Sequence, residues 1–144
     1  MQSSPRAIPA TPSKRSSGIE PMGNVDLGRR RILVVEDEVI FAMDIVAEIE
    51  EHNGVVLGPV GTLEAGINAF RNEAPDACIV NINLGLDKVY ELADLLVDQD
   101  VPFVFASSES RATIPDRFNE VPLHTKPLDM VKAAGHLMKA TSTY

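Results

Sequence analysis

The stretch ILVVEDE, residues Ile32 to Glu38, decides the fold of this chain. Its first four residues are apolar and mostly β-branched, which is typical of a strand buried on both faces of a sheet. The apolar run ends abruptly at three acidic residues, and apolar side chains then recur at helical spacing up to about His52. A buried strand that leads through acids into a helix predicts a protein of alternating strands and helices.

The helix after the acids carries Ile40, Met43, Val46 and either Ile49 or Ala47 at helical spacing, and we predict that this stripe faces the core. Downstream, strand-like runs and helical patterns continue to alternate, and the last strand is the weakest. The further predicted strands cover residues 55–60, 77–80, 101–106 and 121–125.

This alternation predicts the flavodoxin-like doubly wound α/β fold, with a five-stranded parallel sheet of order 2-1-3-4-5. The fourth helix is expected to be short or irregular. Residues 107–120 are polar and contain a proline, so they leave room only for a short helix near Asp116 to Asn119.

Composition divides the chain into two parts. Residues 1–29 hold four of the ten prolines and many serines without an apolar period, and predict a disordered tail. Residues 30–144 are predicted to form the folded domain. The tail has four basic and two acidic residues, so within the net charge of −8 the domain itself carries −10. An acidic domain of this kind is not expected to bind nucleic acid, and it suits a protein partner with a basic docking face.

Cysteine content and hydropathy indicate the compartment. The single cysteine, Cys78, excludes an internal disulfide and a cysteine-rich metal site. No apolar run approaches the roughly 18 to 20 residues that span a bilayer, and the N-terminus lacks the apolar core of a signal peptide. We therefore expect a cytoplasmic protein without a membrane partner, either a monomer or a weak homodimer.

Polar side chains stand at the ends of the predicted central strands. Glu36 and Asp37 follow the first strand, Asn81 the third, Ser107 the fourth and Lys126 the fifth. Because the carboxyl ends of parallel strands meet at one edge of the sheet, we expect these side chains to share a crevice.

The chemistry of this set points to a phosphate site. Two adjacent acids favour a cation, and a hard ion such as Mg²⁺ takes oxygen ligands. A hydroxyl and a lysine ammonium can hold phosphoryl oxygens. An aspartate at position 81 could accept a phosphoryl group, but the amide of Asn81 is a poor nucleophile.

Four motifs resemble those of the receiver domains of two-component response regulators, over about residues 30–140. Each motif is weak alone, but their order and their places at strand ends make the set specific. The motifs are ILVVEDE (32–38), PDACIVNINLG (75–85), VPFVFASS (101–108) and HTKPLD (124–129).

The resemblance assigns expected roles around the phosphoacceptor. Glu36 and Asp37 match the metal-binding acid pair of the family, and Asn81 matches its phosphorylated aspartate. Asn83 matches the residue whose backbone carbonyl also reaches the metal. With one anionic ligand fewer, Mg²⁺ binding remains possible but is expected to be weakened or vestigial.

The resemblance also assigns the phosphate side of the site. Ser107 matches the switch hydroxyl and Lys126 the phosphate-contacting lysine, whose bond to Pro127 is often cis in the family. Without phosphorylation, we expect Lys126 to bond to Asn81 or to pair with Asp37. The chain departs from the family pattern at Leu123, where many receivers have a mobile aromatic residue, and at Ser108, where a related subgroup has glycine.

These observations predict a single-domain response regulator, a pseudo-receiver in phosphorelay signalling that is not phosphorylatable at Asn81 and has no enzymatic activity. Its expected partners are a histidine kinase, a phosphotransfer protein or another regulator. Since no DNA-binding segment follows residue 144, output is expected through protein contact. The alternative is a normal Mg²⁺-dependent receiver that carries an introduced Asp-to-Asn block at position 81; the drift at Leu123 and Ser108 favours the natural loss.

Two functions from other classes compete with this one. A small Mg²⁺-dependent phosphohydrolase would use Asp37 as its nucleophile, but no second catalytic aspartate and no cap domain accompany it. A flavodoxin would need a hydroxyl- and glycine-rich phosphate loop after the first strand, where this chain is acidic and would repel phosphate.

Overall fold

The computed structural model describes residues 25–139. Seven strands are present there: β1 (Arg31–Val35), β2 (Val55–Val60), β3 (Ala77–Val80), β4 (Asn83–Leu84), β5 (Asp87–Lys88), β6 (Phe103–Ala106) and β7 (Leu123–His124). The α-helices of this part are α1 (Val39–Glu51), α2 (Leu63–Glu73), α3 (Tyr90–Asp98) and α4 (Met130–Lys139). Two 3-10 turns lie at Arg111–Thr113 and Asp116–Phe118. None of these helices has the length and apolarity needed to cross a bilayer.

Five of the strands form one parallel sheet in the order β2-β1-β3-β6-β7. Counted in chain order within this sheet, that is the predicted order 2-1-3-4-5, so the doubly wound fold is confirmed. The register pairs Val35 with Val80 and Val80 with Phe105. The residues that follow these pairs therefore emerge at the same edge of the sheet, which is what positions the candidate site.

Helices cover both faces of the sheet. On one face, α1 and α4 bury Ile45, Ile49, Met130 and Leu137 against the apolar side chains of β1, β3 and β6. On the other face, α2 and α3 pack onto the same three strands. Burying this apolar surface between the layers is the main source of stability.

The core stripe predicted for α1 is confirmed at Ile49 and wrong at Ile40 and Met43. The structure buries Ala42, Ile45 and Ile49, whereas Ile40 and Met43 are 75% and 56% exposed. The helix is apolar on more than one side, so spacing alone did not identify the face that packs on β1. Its first turns consequently present apolar side chains to the surface.

The fourth helix of the doubly wound pattern is replaced by two 3-10 turns, as its polar sequence predicted. This segment is anchored by Phe118, whose ring stacks on Tyr90 at 5.5 Å and meets Phe105 edge-on at 5.9 Å. Arg111 donates to the carbonyls of Phe118 and Val121 at 3.1 and 2.6 Å. The Phe118 ring and the Arg111 guanidinium therefore hold this segment in the place that a helix would otherwise take.

The N-terminal boundary of the domain lies earlier than predicted. Leu27, which we placed in the tail, is fully buried, and its backbone N–H donates to the carbonyl of His52 at 2.7 Å. A Cβ atom at Gly54 would lie 2.9 Å from the Leu27 side chain, so a glycine is needed for this close approach. The segment 25–29 therefore packs with the domain through Leu27, and the rest of the predicted tail, residues 1–24, lies outside the described residues.

Candidate functional site

The predicted site residues meet at the carboxyl edge of the sheet. They surround a cavity of about 240 Å³. Its lining residues are Asp37, Glu38, Asn81, Asn83, Ser107, Ser108 and Lys126. Glu36 lies behind this lining, buried at the end of β1. The convergence predicted from the strand ends is thus present in the structure.

The Asn81 amide lies at the centre of the acidic group. Its Nδ2 donates to Glu36 Oε2 at 3.1 Å, to Asp37 Oδ1 at 3.4 Å and to the backbone carbonyl of Asn83 at 2.9 Å. These three oxygens belong to the residues that the family resemblance assigns to a metal ion. In this chain an uncharged N–H donor binds them instead.

Glu36 connects the site to the start of α1. Its Oε2 accepts from the backbone N–H of Glu38, a donor that the helix leaves unpaired at its first turn. Burial raises the pKa of Glu36 above its ordinary value, although this amide and the Lys126 ammonium act in the opposite direction. A buried carboxyl of this kind needs compensation from a nearby cation.

Lys126 supplies that cation. Its Nζ lies 3.0 Å from Glu36 Oε1 and 2.8 Å from Glu38 Oε1, with the side chain only 7% exposed. It also lies 4.4 Å from the centre of the Phe41 ring, a cation–π contact. The prediction that Lys126 would bond to Asn81 or pair with Asp37 is therefore wrong, because Glu36 and Glu38 take the ammonium toward α1.

The remaining predicted residues hold other contacts at the site. Ser107 is fully buried, and its Oγ accepts from the Glu109 backbone N–H at 3.3 Å. Asp37 is exposed, and its Oδ2 accepts from the Gly85 backbone N–H at 3.0 Å. The Lys126–Pro127 peptide bond is cis, as the resemblance implied.

A polar network at the mouth of the site was not predicted. Strands β4 and β5 form a hairpin, and Glu109 reaches across to it. Glu109 Oε2 accepts from Asn83 Nδ2 at 2.6 Å and from Lys88 Nζ at 3.1 Å, and its Oε1 accepts from Thr113 Oγ1 at 2.6 Å. The hydroxyl of Thr113, with Asn83 and Lys88, lowers the pKa of Glu109 to about 2.

Local sequence signals for this network exist but are faint. Glu109 is an acid two residues after Ser107, and Lys88 lies three residues after the φ-positive turn at Gly85. Neither signal says that the two loops meet. Phe41 and Glu38 were likewise missed, since their shared partner Lys126 is 85 or more positions away.

The donor chemistry of the site fits a hard divalent cation. Glu36, Asp37 and the Asn83 carbonyl are oxygen ligands of the kind that Mg²⁺ prefers. Since Nδ2 of Asn81 faces these oxygens, a cation would bind there only after the amide is turned. Within residues 25–139, no cluster of three or more His, Cys, Asp or Glu side chains is placed to hold a metal.

Known structures share the fold of this chain, and two of them are 31% to 33% identical to it over the aligned residues. The solution structure of SdrG from Sphingomonas melonis Fr1 is 33% identical, with a TM-score of 0.68 over 76% of this chain and 96% of SdrG. The BeF3-activated conformation of SdrG from Pseudomonas melonis Fr1 is 31% identical, with a TM-score of 0.62 over 78% of this chain and 96% of that one.

A more distant neighbour shows the fold alone. The non-phosphorylated HemR receiver domain from Leptospira biflexa is 23% identical, with a TM-score of 0.64 over 80% of this chain and 96% of that domain. No family model matches the sequence, and no curated protein does either.

Proposed function

Because the chain belongs to the receiver-domain family of response regulators, we propose that it is a pseudo-receiver, which signals by protein contact and does not accept phosphate at Asn81. The observation that carries this proposal is the set of hydrogen bonds that the Asn81 amide donates to Glu36, Asp37 and the Asn83 carbonyl. We propose that Asn81 stands at the phosphoacceptor-equivalent position. An amide has no carboxylate oxygen to attack a phosphoryl donor.

The charge balance of the site supports the same proposal. A receiver that accepts phosphate uses a cation to offset its acids and a lysine to bind the phosphoryl oxygens. Here the Asn81 amide binds the acid pair, and Lys126 is paired with Glu36 and Glu38. If Mg²⁺ binds, we propose Glu36, Asp37 and the Asn83 carbonyl as its weakened ligands; it would supply positive charge for phosphoryl oxygens.

A hydrolase is less well supported by the same contacts. Its nucleophile would be Asp37, which needs a carboxylate oxygen free to attack. One oxygen of Asp37 already accepts from Gly85 and the other from Asn81. We therefore propose no catalytic turnover at this site.

The exposed start of α1 is the proposed contact surface. Val39 and Ile40 are each 75% exposed beside the site, and α1 carries four acids and no basic residue. An apolar patch next to acids suits a partner with apolar and basic side chains. We propose a histidine kinase, a phosphotransfer protein or another regulator as that partner.

The chemistry is tested by incubating the full chain with acetyl phosphate and Mg²⁺ and weighing the intact protein under acidic conditions. We expect no mass gain of one phosphoryl group, and no spectral response to BeF3⁻, the reagent named for the activated state of SdrG. Asn81→Asp is the matched variant, and a gain there would mean that the rest of the site is intact. Phosphorylation of the unaltered chain at the site would refute the proposal.

The surface is tested separately with purified histidine kinases and phosphotransfer proteins of the source cell. Ile40→Asp is expected to weaken binding to the partner at least about tenfold, as for a central apolar contact. Val97→Asp, at a partly exposed valine of α3, is the control and should leave binding unchanged. Equal loss in both variants, or loss in neither, would contradict the proposed surface.

A further inference from the structure

The groups around the Lys126 ammonium are not those expected around a lysine that binds phosphate. Its three close partners belong to the junction between β1 and α1: Glu36 directly follows the strand, Glu38 precedes the helix and Phe41 lies in the first turn of the helix. The ammonium therefore lies on the acid side of the cavity.

Each partner contributes differently to this position. Glu36 Oε1 is buried and makes no hydrogen bond of good geometry, so the nearby ammonium is what offsets its charge. Glu38 is more than half exposed and does not cap α1 with its side chain. The Phe41 ring presents its π face to the ammonium at 4.4 Å. Glu38 and Phe41 thus share one visible role, which is to hold Lys126.

A divalent cation would compete with the Lys126 ammonium for the Glu36 carboxylate. Two positive charges near one buried carboxylate repel each other strongly where the surroundings screen them little. Binding of the ion would therefore require Lys126 to give up Glu36. The more firmly the Lys126 ammonium is held, the lower the affinity of the site for the ion becomes.

We propose that Lys126 is an internal counter-ion that limits divalent-cation binding at Glu36, and that Phe41 and Glu38 are positioning residues which hold it there. The inference rests on the proposed function in one respect, namely that the acid pair persists as a weak cation site without a phosphoacceptor. It adds that the weakness comes from Lys126 as well as from Asn81.

The test measures the affinity of the full chain for Mg²⁺ alone, by calorimetry and by amide NMR shifts. Lys126→Met keeps the apolar stem and removes the charge, and we expect Mg²⁺ to bind roughly tenfold more tightly, as for loss of a close buried like charge. Phe41→Leu keeps apolar bulk without the π face, and should tighten binding about two- to threefold.

Two controls separate competition from general charge or folding effects. Lys132→Met removes an equal charge from an exposed position on α4 and should change the affinity less than about twofold, because solvent screens it. Lys126→Arg keeps the charge and should keep the low affinity. In the unaltered chain, the side-chain NMR signals of Lys126 should shift as Mg²⁺ is added.

Affinity in Lys126→Met within twofold of the unaltered chain, while circular dichroism shows that the variant is folded, would overturn the inference. So would Lys126 signals that stay fixed at saturating Mg²⁺. Neither outcome touches the proposed function, which fails instead if the unaltered chain is phosphorylated. The two failures are therefore distinguishable.

Discussion

Replacing Asn81 by aspartate is expected to convert the site from one held together by its own amide into one that needs a cation. The amide donates to three oxygens at 2.9 to 3.4 Å, and an aspartate oxygen would face the same three oxygens without a proton. The variant loses these hydrogen bonds and gains repulsion between carboxylates.

The size of the effect follows from these contacts. The two shorter bonds contribute about 1 to 2 kcal/mol each, because one acceptor is a buried carboxylate. Repulsion adds to the loss, while rotation of the new carboxylate and the nearby Lys126 reduce it. We expect Asn81→Asp to lower the free energy of unfolding by about 3 kcal/mol at pH 7 in EDTA. For a domain of this size, that is a fall of about 10 °C in Tm.

Urea denaturation in EDTA and in 10 mM Mg²⁺ measures this prediction. The ion should restore about 1 to 2 kcal/mol to Asn81→Asp, as expected if it binds with a Kd near 1 mM or below. The unaltered chain should change by less than about 0.5 kcal/mol. Asn68→Asp, at an exposed position of α2, is the charge-matched control and should be nearly neutral in both buffers.

Two results would refute this reasoning. One is an Asn81→Asp variant as stable in EDTA as the unaltered chain, which would mean that the amide bonds contribute nothing. The other is a destabilised variant whose stability does not depend on Mg²⁺, which would mean that repulsion between carboxylates is not the cause.

Three further outcomes are expected. Phe118→Ala should lower the free energy of unfolding by about 4 kcal/mol in urea, because the ring fills the space under the segment that replaces a helix; a loss below about 1 kcal/mol would contradict this. The lowered pKa of Glu109 stabilises the fold fully above its ordinary pKa of 4.5, and this contribution is lost as pH falls to about 2. Stability of the unaltered chain should thus fall more steeply than that of Glu109→Gln between these values, and parallel curves would refute the ion network. Burial raises the pKa of the Cys78 thiol, so a thiol reagent should react with it only after unfolding, and rapid labelling of the native protein would be inconsistent with the buried strand.

Much of the fold was predictable because its signals are local. The apolar run at Ile32 to Val35, and the repetition of such runs, specified a parallel sheet in which consecutive strands are joined by helices. The same logic predicted the meeting of Glu36, Asp37, Asn81 and Lys126, since strand ends of a parallel sheet share an edge.

Prediction failed where one local pattern allowed two outcomes. The first helix is apolar on several sides, and the strand that it covers decided that Ile45 faces inward and Ile40 outward. In the sequence, Leu27 lies beside glycine and basic residues, so it was assigned to the tail. In the structure, its side chain packs beside Gly54. Packing against distant residues settled both cases.

By itself, the sequence determined the order of the elements, the set of chemical groups at the strand ends and the absence of a nucleophile at Asn81. Only the tertiary structure decided which of those groups bond to one another. The Asn81 amide turns to the acid pair, Lys126 turns to Glu36 and Glu38, and Glu109 joins two loops through Asn83 and Lys88. The physical reason is that a polar or charged side chain bonds to the partners that packing brings within about 3 Å, and most of those partners lie far away along the chain.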